Sequence, residues 1–237
     1  KDERITVVSL PQNEGRCFAR NTGLEKALGE WICYLDSDDT YYPNHLQVFF
    51  NLIQLNPEFK AFATDQNING KNKKYRSRRF HLDNIDLSLN DFIENNPLTA
   101  NQICYKRDLN VFWSSERIPI SEDWLFMREL VLKTTIKKKA IVTNNLRDHP
   151  NRSMNMAQTS EFVKYNLLAA NQFLQNNHVP RAIENRILSY TKILCANVYL
   201  NNKEKKNAWV LFKESLKYPH TFNYSLFYKA IVKFILP

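Results

Sequence analysis

The chain is poor in the features that mark several enzyme and binding classes. It has only four glycines in 237 residues, and they do not gather into a phosphate-cradling loop. A sugar-nucleotide pyrophosphorylase, one α/β enzyme class with carboxylate-held metal, would want such a loop near its start. No apolar run approaches the ~20 residues of a membrane-spanning helix, and the amino end, KDER, lacks a signal-peptide pattern. The four cysteines, Cys17, Cys33, Cys104 and Cys195, are scattered, with neither a CxxC pair nor a His-paired metal spacing. They read as buried reduced thiols, which fits a reducing, cytoplasmic compartment. No RNA- or DNA-binding motif is present, so a basic nucleic-acid-binding module using Lys71–Arg79 is the weaker alternative and no nucleic-acid partner is expected.

With 43% hydrophobic and 24% charged residues the composition is that of a globular protein. The length suits one large domain or one domain with an appendage. A net charge of +9 asks for an anionic partner, whether a nucleotide diphosphate, an acidic membrane surface or nucleic acid.

Taken in order, Arg4–Leu10 reads as a strand. Arg16–Leu28 reads as a helix stopped at Gly29, and Trp31–Leu35 as a buried strand of a parallel sheet. A helix runs from Pro43 to Leu55, and a strand from Ala61 to Ile68 enters the turn signal Asn69–Gly70. Six of the nine residues in Lys71–Arg79 are basic, which predicts a mobile solvated loop. Asp83–Asn95 reads as helix, Gln102–Tyr105 as strand, Glu122–Thr134 as helix and Ile141–Leu146 as a last strand. The alternation predicts an α/β fold with a mostly parallel sheet flanked by helices. From Thr159 onward every segment is helical: Glu161–Asn176, Arg181–Leu200, Glu204–Tyr218 and Tyr224–Ile235. Two units follow, 1–155 and a carboxyl-terminal helical bundle, 156–237.

The chemistry concentrates in Asn13–Asp39, NEGRCFARNTGLEKALGEWICYLDSDD. Asp36, Ser37, Asp38 and Asp39 sit at the carboxyl end of a strand, the edge where open α/β sheets bind ligands. Three carboxylates in four residues repel one another unless a cation or a donor-rich ligand holds them, and Mg²⁺ or Mn²⁺ suits oxygen donors. This stretch resembles the signature of family 2 glycosyltransferases of the GT-A fold, with DSDD in the place of the DxD motif. Ser121–Trp124 matches the family's ED segment, and LRDHPNRS, Leu146–Ser153, its later His-containing loop. The ordered matches cover residues 3–153.

The resemblance implies a metal-dependent, inverting transfer of a sugar from a nucleotide-sugar donor, UDP-linked by base rate, to a glycan or lipid-linked acceptor hydroxyl. It casts Asp123 as the base, Arg20 and Asn21 as shapers of the nucleotide site, and Asp36 as a contact to the ribose or to metal-bound water. Asp38 becomes the principal metal ligand, Asp39 a supporting ligand or merely a turn residue, and His149 a further ligand or diphosphate donor. Gly23 would let its helix approach a neighbour, and the start of the helix would favour ionised Asp123. In this family two βα units, roughly 60 residues at ~30 per unit, precede the strand at Arg4–Leu10. The resemblance therefore reads this sequence as truncated at its amino end, with those two units missing, and a chain without them should bind nucleotides poorly. The stripe Leu226, Phe227, Ala230, Ile231, Phe234 and Ile235 suits either packing on the preceding helices or a peripheral seat at the inner face of a membrane.

Overall fold

A computed structural model describes residues 2–70, 73–76, 83–150 and 158–235. Its elements are α1 (Arg16–Lys26), β1 (Trp31–Cys33), β2 (Thr40–Tyr41), α2 (His45–Leu55), β3 (Ala61–Gly70), β4 (Lys73–Arg76), β5 (Ile85–Leu87), β6 (Ile103–Lys106), α3 (Glu122–Lys133) and β7 (Ile136–Arg147). The helices α4 (Thr159–Asn176), α5 (Arg181–Asn201), α6 (Lys205–Ser215) and α7 (Ser225–Ile235) follow. The fold is α/β with a helical carboxyl-terminal region.

The sheet runs β1-β6-β3-β7-β2, with β4 added to β3 and β5 to β7. It is mixed rather than mostly parallel. Strands β3 and β7 run parallel, and every other pairing among the described residues is antiparallel. The reason lies in the connection to β6. Among the described residues no crossover helix precedes it, only 3₁₀ turns at Leu89–Phe92 and Ala100–Gln102, and the strand runs in the opposite sense.

Alternation along β3 serves two layers. Ala61 and Ala63 meet Phe126, Met127 and Leu130 of α3, while Phe62 meets Phe49 and Leu52 of α2. Alanine on the α3 side leaves room for Phe126 and Trp113, which stack at 4.2 Å. These side chains are withdrawn from water almost completely, each contributing on the order of 1.5–3 kcal/mol for the larger ones.

Several expectations need correction. Arg4–Leu10 is not a strand: Ile5 and Val7 are 66% and 79% exposed, and no neighbouring strand among the described residues takes up its backbone groups. Asp83–Asn95 is not a helix. Asn84 turns the chain with φ 58°, Ile85–Leu87 pairs with β7, and the Ser88–Asp91 capping box starts a 3₁₀ turn. Within the basic run, Lys73–Arg76 is strand β4, hairpinned to β3; residues 71, 72 and 77–79 lie outside the described residues. The last strand begins five residues early because Lys138 is buried, its Nζ 2.8 Å from Asp65 Oδ1. Helix α1 ends at Lys26 with Ala27 as its cap, before Gly29.

Helices α4 and α5 lie against α3, where Ala169, Ala170, Phe173 and Ile187 share one core with Ile93, Ile118 and Leu125. A second core joins α5, α6 and α7 through Ile193, Ala196, Phe212, Phe227 and Ala230. The stripe on the last helix is thus spent largely on packing, with Leu226, Ile231 and Phe234 against the same core and Ile235 alone 75% exposed. The boundary expected at 155/156 falls in 151–157, outside the described residues.

Candidate active site

The acidic loop is tied down by one buried amide. Asp36 N–H donates to Asn101 Oδ1 at 2.9 Å, and Asn101 Nδ2 donates to Asp39 Oδ2. Arg147 N–H donates to Asp39 Oδ1 at 2.8 Å. Both oxygens of Asp39 therefore already accept one hydrogen bond each, which fixes its place in the turn and leaves each a second lone pair. Asp38 is different: its Oδ2 stands 2.9 Å from His149 Nε2, and both residues border the pocket. Residues 151–153 of the His-containing loop lie outside the described residues.

Arg20 joins this loop to the start of α3. Its Nη2 donates to Asp36 Oδ1 at 2.7 Å, and its Nη1 lies 3.4 Å from Asp123 Oδ1 and 3.8 Å from Glu122 Oε1. The guanidinium also sits 4.1 Å over the Trp113 ring, a face that attracts a cation. Arg16 takes the remaining demand of the buried Glu122 at 2.8 Å. Asn21 does not line the pocket. It clamps the Trp113 backbone from both sides, donating to the carbonyl at 3.0 Å and accepting from the amide at 2.8 Å, and so holds the ring under Arg20. A Cβ on Gly23 would meet nothing within 4 Å, so that glycine serves no close approach. Gly15, at φ 88°, is the one that the backbone requires, at the entry to α1.

Asp123 is held neutral more strongly than its helix position suggests. Burial, then the neighbouring Glu122 charge, push its carboxyl up to about 7, against the opposing pull of Arg20. The helix start does not offset burial beside a second carboxylate. With 24% of its side chain open to the cleft, Asp123 is a group that can exchange a proton near neutral pH. Ser121, just before it, holds a left-handed φ of 68° and donates to Asn166 Oδ1 of α4 at 2.9 Å.

These residues face one cleft of about 780 Å³, floored by the acidic loop, walled by Glu94–Asn96 and by the start of α3, and closed by Phe162, Asn166, Tyr190 and Leu194 of α4 and α5. A divalent cation fits the donor set in part. Asp38 and His149 offer one carboxylate and one imidazole to the same space, while among the described residues no three His, Cys, Asp or Glu groups converge as ligands. Cations that keep several waters or substrate phosphates in their shell need no more from the protein. The sequence reading missed Asn101, Arg16 and Trp113. No motif marks Asn101, which enters the site only through sheet register, whereas Arg16 lies one helical turn before Arg20 on the same face.

An α/β sheet whose acidic strand end and acidic helix start share one cleft is the arrangement of a GT-A fold. It superposes on residues 1–349 of Staphylococcus aureus TarS, solved with UDP-GlcNAc, with a TM-score of 0.69 at 18% identity, covering 96% of this chain and 71% of that one. The chain belongs to glycosyl transferase family 2, whose model matches residues 1–133. It is 46% identical over 46 residues to the succinoglycan biosynthesis protein ExoO of Rhizobium meliloti, covering 19% of this chain and 13% of that protein. It is 35% identical over 77 residues to an uncharacterized glycosyltransferase of Rickettsia felis, 32% of this chain and 13% of the relative. These alignments thus span a small fraction of the relatives' lengths.

Proposed function

We propose that the cleft carries out metal-dependent, inverting transfer of a sugar from a nucleotide-sugar donor, a UDP-sugar by preference, to a hydroxyl of a glycan or lipid-linked acceptor in polysaccharide biosynthesis. The observation that carries this reading is Arg20, which couples the DSDD loop to Asp123 across one cleft. Asp38 and His149 would hold Mn²⁺ or Mg²⁺. When bound, the cation supplies charge neutralisation for the departing diphosphate.

The chain's own residues do the rest. Arg20 fixes Asp36 toward the nucleotide and keeps a positive charge beside Asp123. Asp123 Oδ takes the acceptor hydroxyl proton as that oxygen attacks the sugar carbon from the face opposite the leaving group, which inverts the anomeric centre. Phe162, Tyr190 and Leu194 limit water in the cleft. Because Phe227 and Ala230 pack inward, a membrane seat would use the outward Tyr228, Val232 and Ile235 of α7, 59%, 51% and 75% exposed, with Lys229 beside them. The metal part is tested by calorimetric titration of UDP with and without Mn²⁺ into the full-length gene product. Mn²⁺ should tighten binding at least about tenfold, and Asp38→Ala should abolish that gain. Equal enhancement in the variant would reject Asp38 as a ligand.

A further inference from the structure

Cys33 and Cys104 face each other on neighbouring strands outside the proposed catalytic machinery. The register of β1 against β6 pairs Trp31 with Lys106, Ile32 with Tyr105 and Cys33 with Cys104. Arg107 N–H donates to Glu30 O at 2.8 Å, and Lys106 N–H turns the other way, to Lys60 O, also at 2.8 Å. Glu30 and Arg107 are therefore opposed at a hydrogen-bonded position, and alternation along the ladder makes Cys33 and Cys104 a non-hydrogen-bonded pair. That is the closer kind, with Cα atoms about 4.5 Å apart, inside the roughly 4.4–6.8 Å span that a disulfide bridges.

The surroundings separate these two thiols from the others. His45 is 1% exposed, stacked on Tyr41 with ring centroids 3.4 Å apart, and its Nδ1 lies 2.8 Å from Thr143 Oγ1. Its Nε2 has no hydrogen-bond partner of ordinary geometry, and the Cys33 thiol is beside it. Hydrogen bonding to Cys104 and His45 holds the Cys33 thiol below the ordinary thiol range despite its burial, while the same pairing and burial push Cys104 up. Burial pushes Cys17 up to about 11 and Cys195 up to about 12. Cys33 is also the one of the four that is only partly buried.

We propose that Cys33 and Cys104 are a disulfide-forming modification site, through which a low-molecular-weight disulfide such as oxidised glutathione cross-links β1 to β6 directly behind the acidic loop. The Cys33 thiolate attacks one sulfur of the oxidant, forming a mixed disulfide and expelling one thiolate. The Cys104 thiol then gives up its proton and attacks the Cys33 sulfur, expelling the second. Two protein thiols are oxidised to one disulfide, and one oxidant molecule is reduced to two thiols. The cross-link would pin together the strand ends that Asn101 already joins at Asp36.

The folded protein is incubated in excess oxidised glutathione, acid-quenched, alkylated and mapped by mass spectrometry. A Cys33–Cys104 linked peptide should accumulate, with Cys17 and Cys195 modified at least about tenfold more slowly. Cys104→Ser should stop at a glutathione adduct on Cys33, and Cys33→Ser should give no linked peptide. Absence of the linked peptide in the folded wild-type protein, or reaction of Cys17 or Cys195 at the rate of Cys33, would overturn the proposal. Because the readout is thiol chemistry alone, it stands or falls independently of sugar transfer.

Discussion

At the scale of single residues, the protonation of Asp123 links chemistry to stability. Its folded carboxyl is raised from 3.8 to about 7, so the fold favours the neutral acid. That contribution is fully present below about pH 4 and is lost as the pH rises through about 7. Asp123→Asn cannot ionise, so its melting temperature relative to wild type should climb between pH 4 and 8, by the equivalent of at most roughly 4 kcal/mol. A difference that is flat with pH would mean that Asp123 is already ionised in the folded protein. Arg20→Lys should weaken nucleotide binding about tenfold or more, because a lysine ammonium cannot span Asp36 and Asp123 together. Binding unchanged in titration calorimetry would remove Arg20 from the donor site. Asp36, Asp38, Arg20 and Asp123 were legible in the sequence because their motifs are local. Asn101 was not, since its role exists only once β1 and β6 are paired, and Asn21 was legible as important but not as the clamp on Trp113.

At the scale of elements, the sequence's helical periodicity located α2, α3 and all four carboxyl-terminal helices to within a few residues, because each buries one continuous apolar face. It failed where polar residues were buried in pairs or where an apolar run lacked a partner. Lys138 reads as surface until Asp65 is beside it, and Arg4–Leu10 has a strand's composition but no strand among the described residues to complete it. Asp83–Asn95 failed because Asn84 and the Ser88–Asp91 cap set the chain locally against a helix. The join between α3 and α4 also shapes the cleft, since Phe173 is fully buried there and α4 carries Phe162 and Asn166. Phe173→Ala should cost about 3–5 kcal/mol in denaturant unfolding. A loss under about 1 kcal/mol would show that α4 is not held by this core.

At the scale of the whole molecule, one cleft is assembled from segments distant in sequence: the strand-end loop at 36–39, the turn at 94–96, the start of α3, His149 and the two helices α4 and α5. The helical region thus forms part of the cleft wall, which composition alone did not reveal because both its apolar core contacts and its polar ones, such as Ser121 with Asn166 and Arg186 with Glu94, join residues distant in sequence. The acidic loop and a carboxyl that titrates near neutrality thus share one cleft in a chain of net charge +9. The proposed role of Asp123 in that cleft is to accept the proton of the attacking hydroxyl. It is tested most directly by comparing wild type and Asp123→Asn in the full-length gene product, measuring UDP-sugar turnover and nucleotide affinity side by side. Turnover should fall by about 10²-fold or more with affinity within threefold of wild type, and turnover in the variant equal to wild type at unchanged affinity would remove Asp123 as the base.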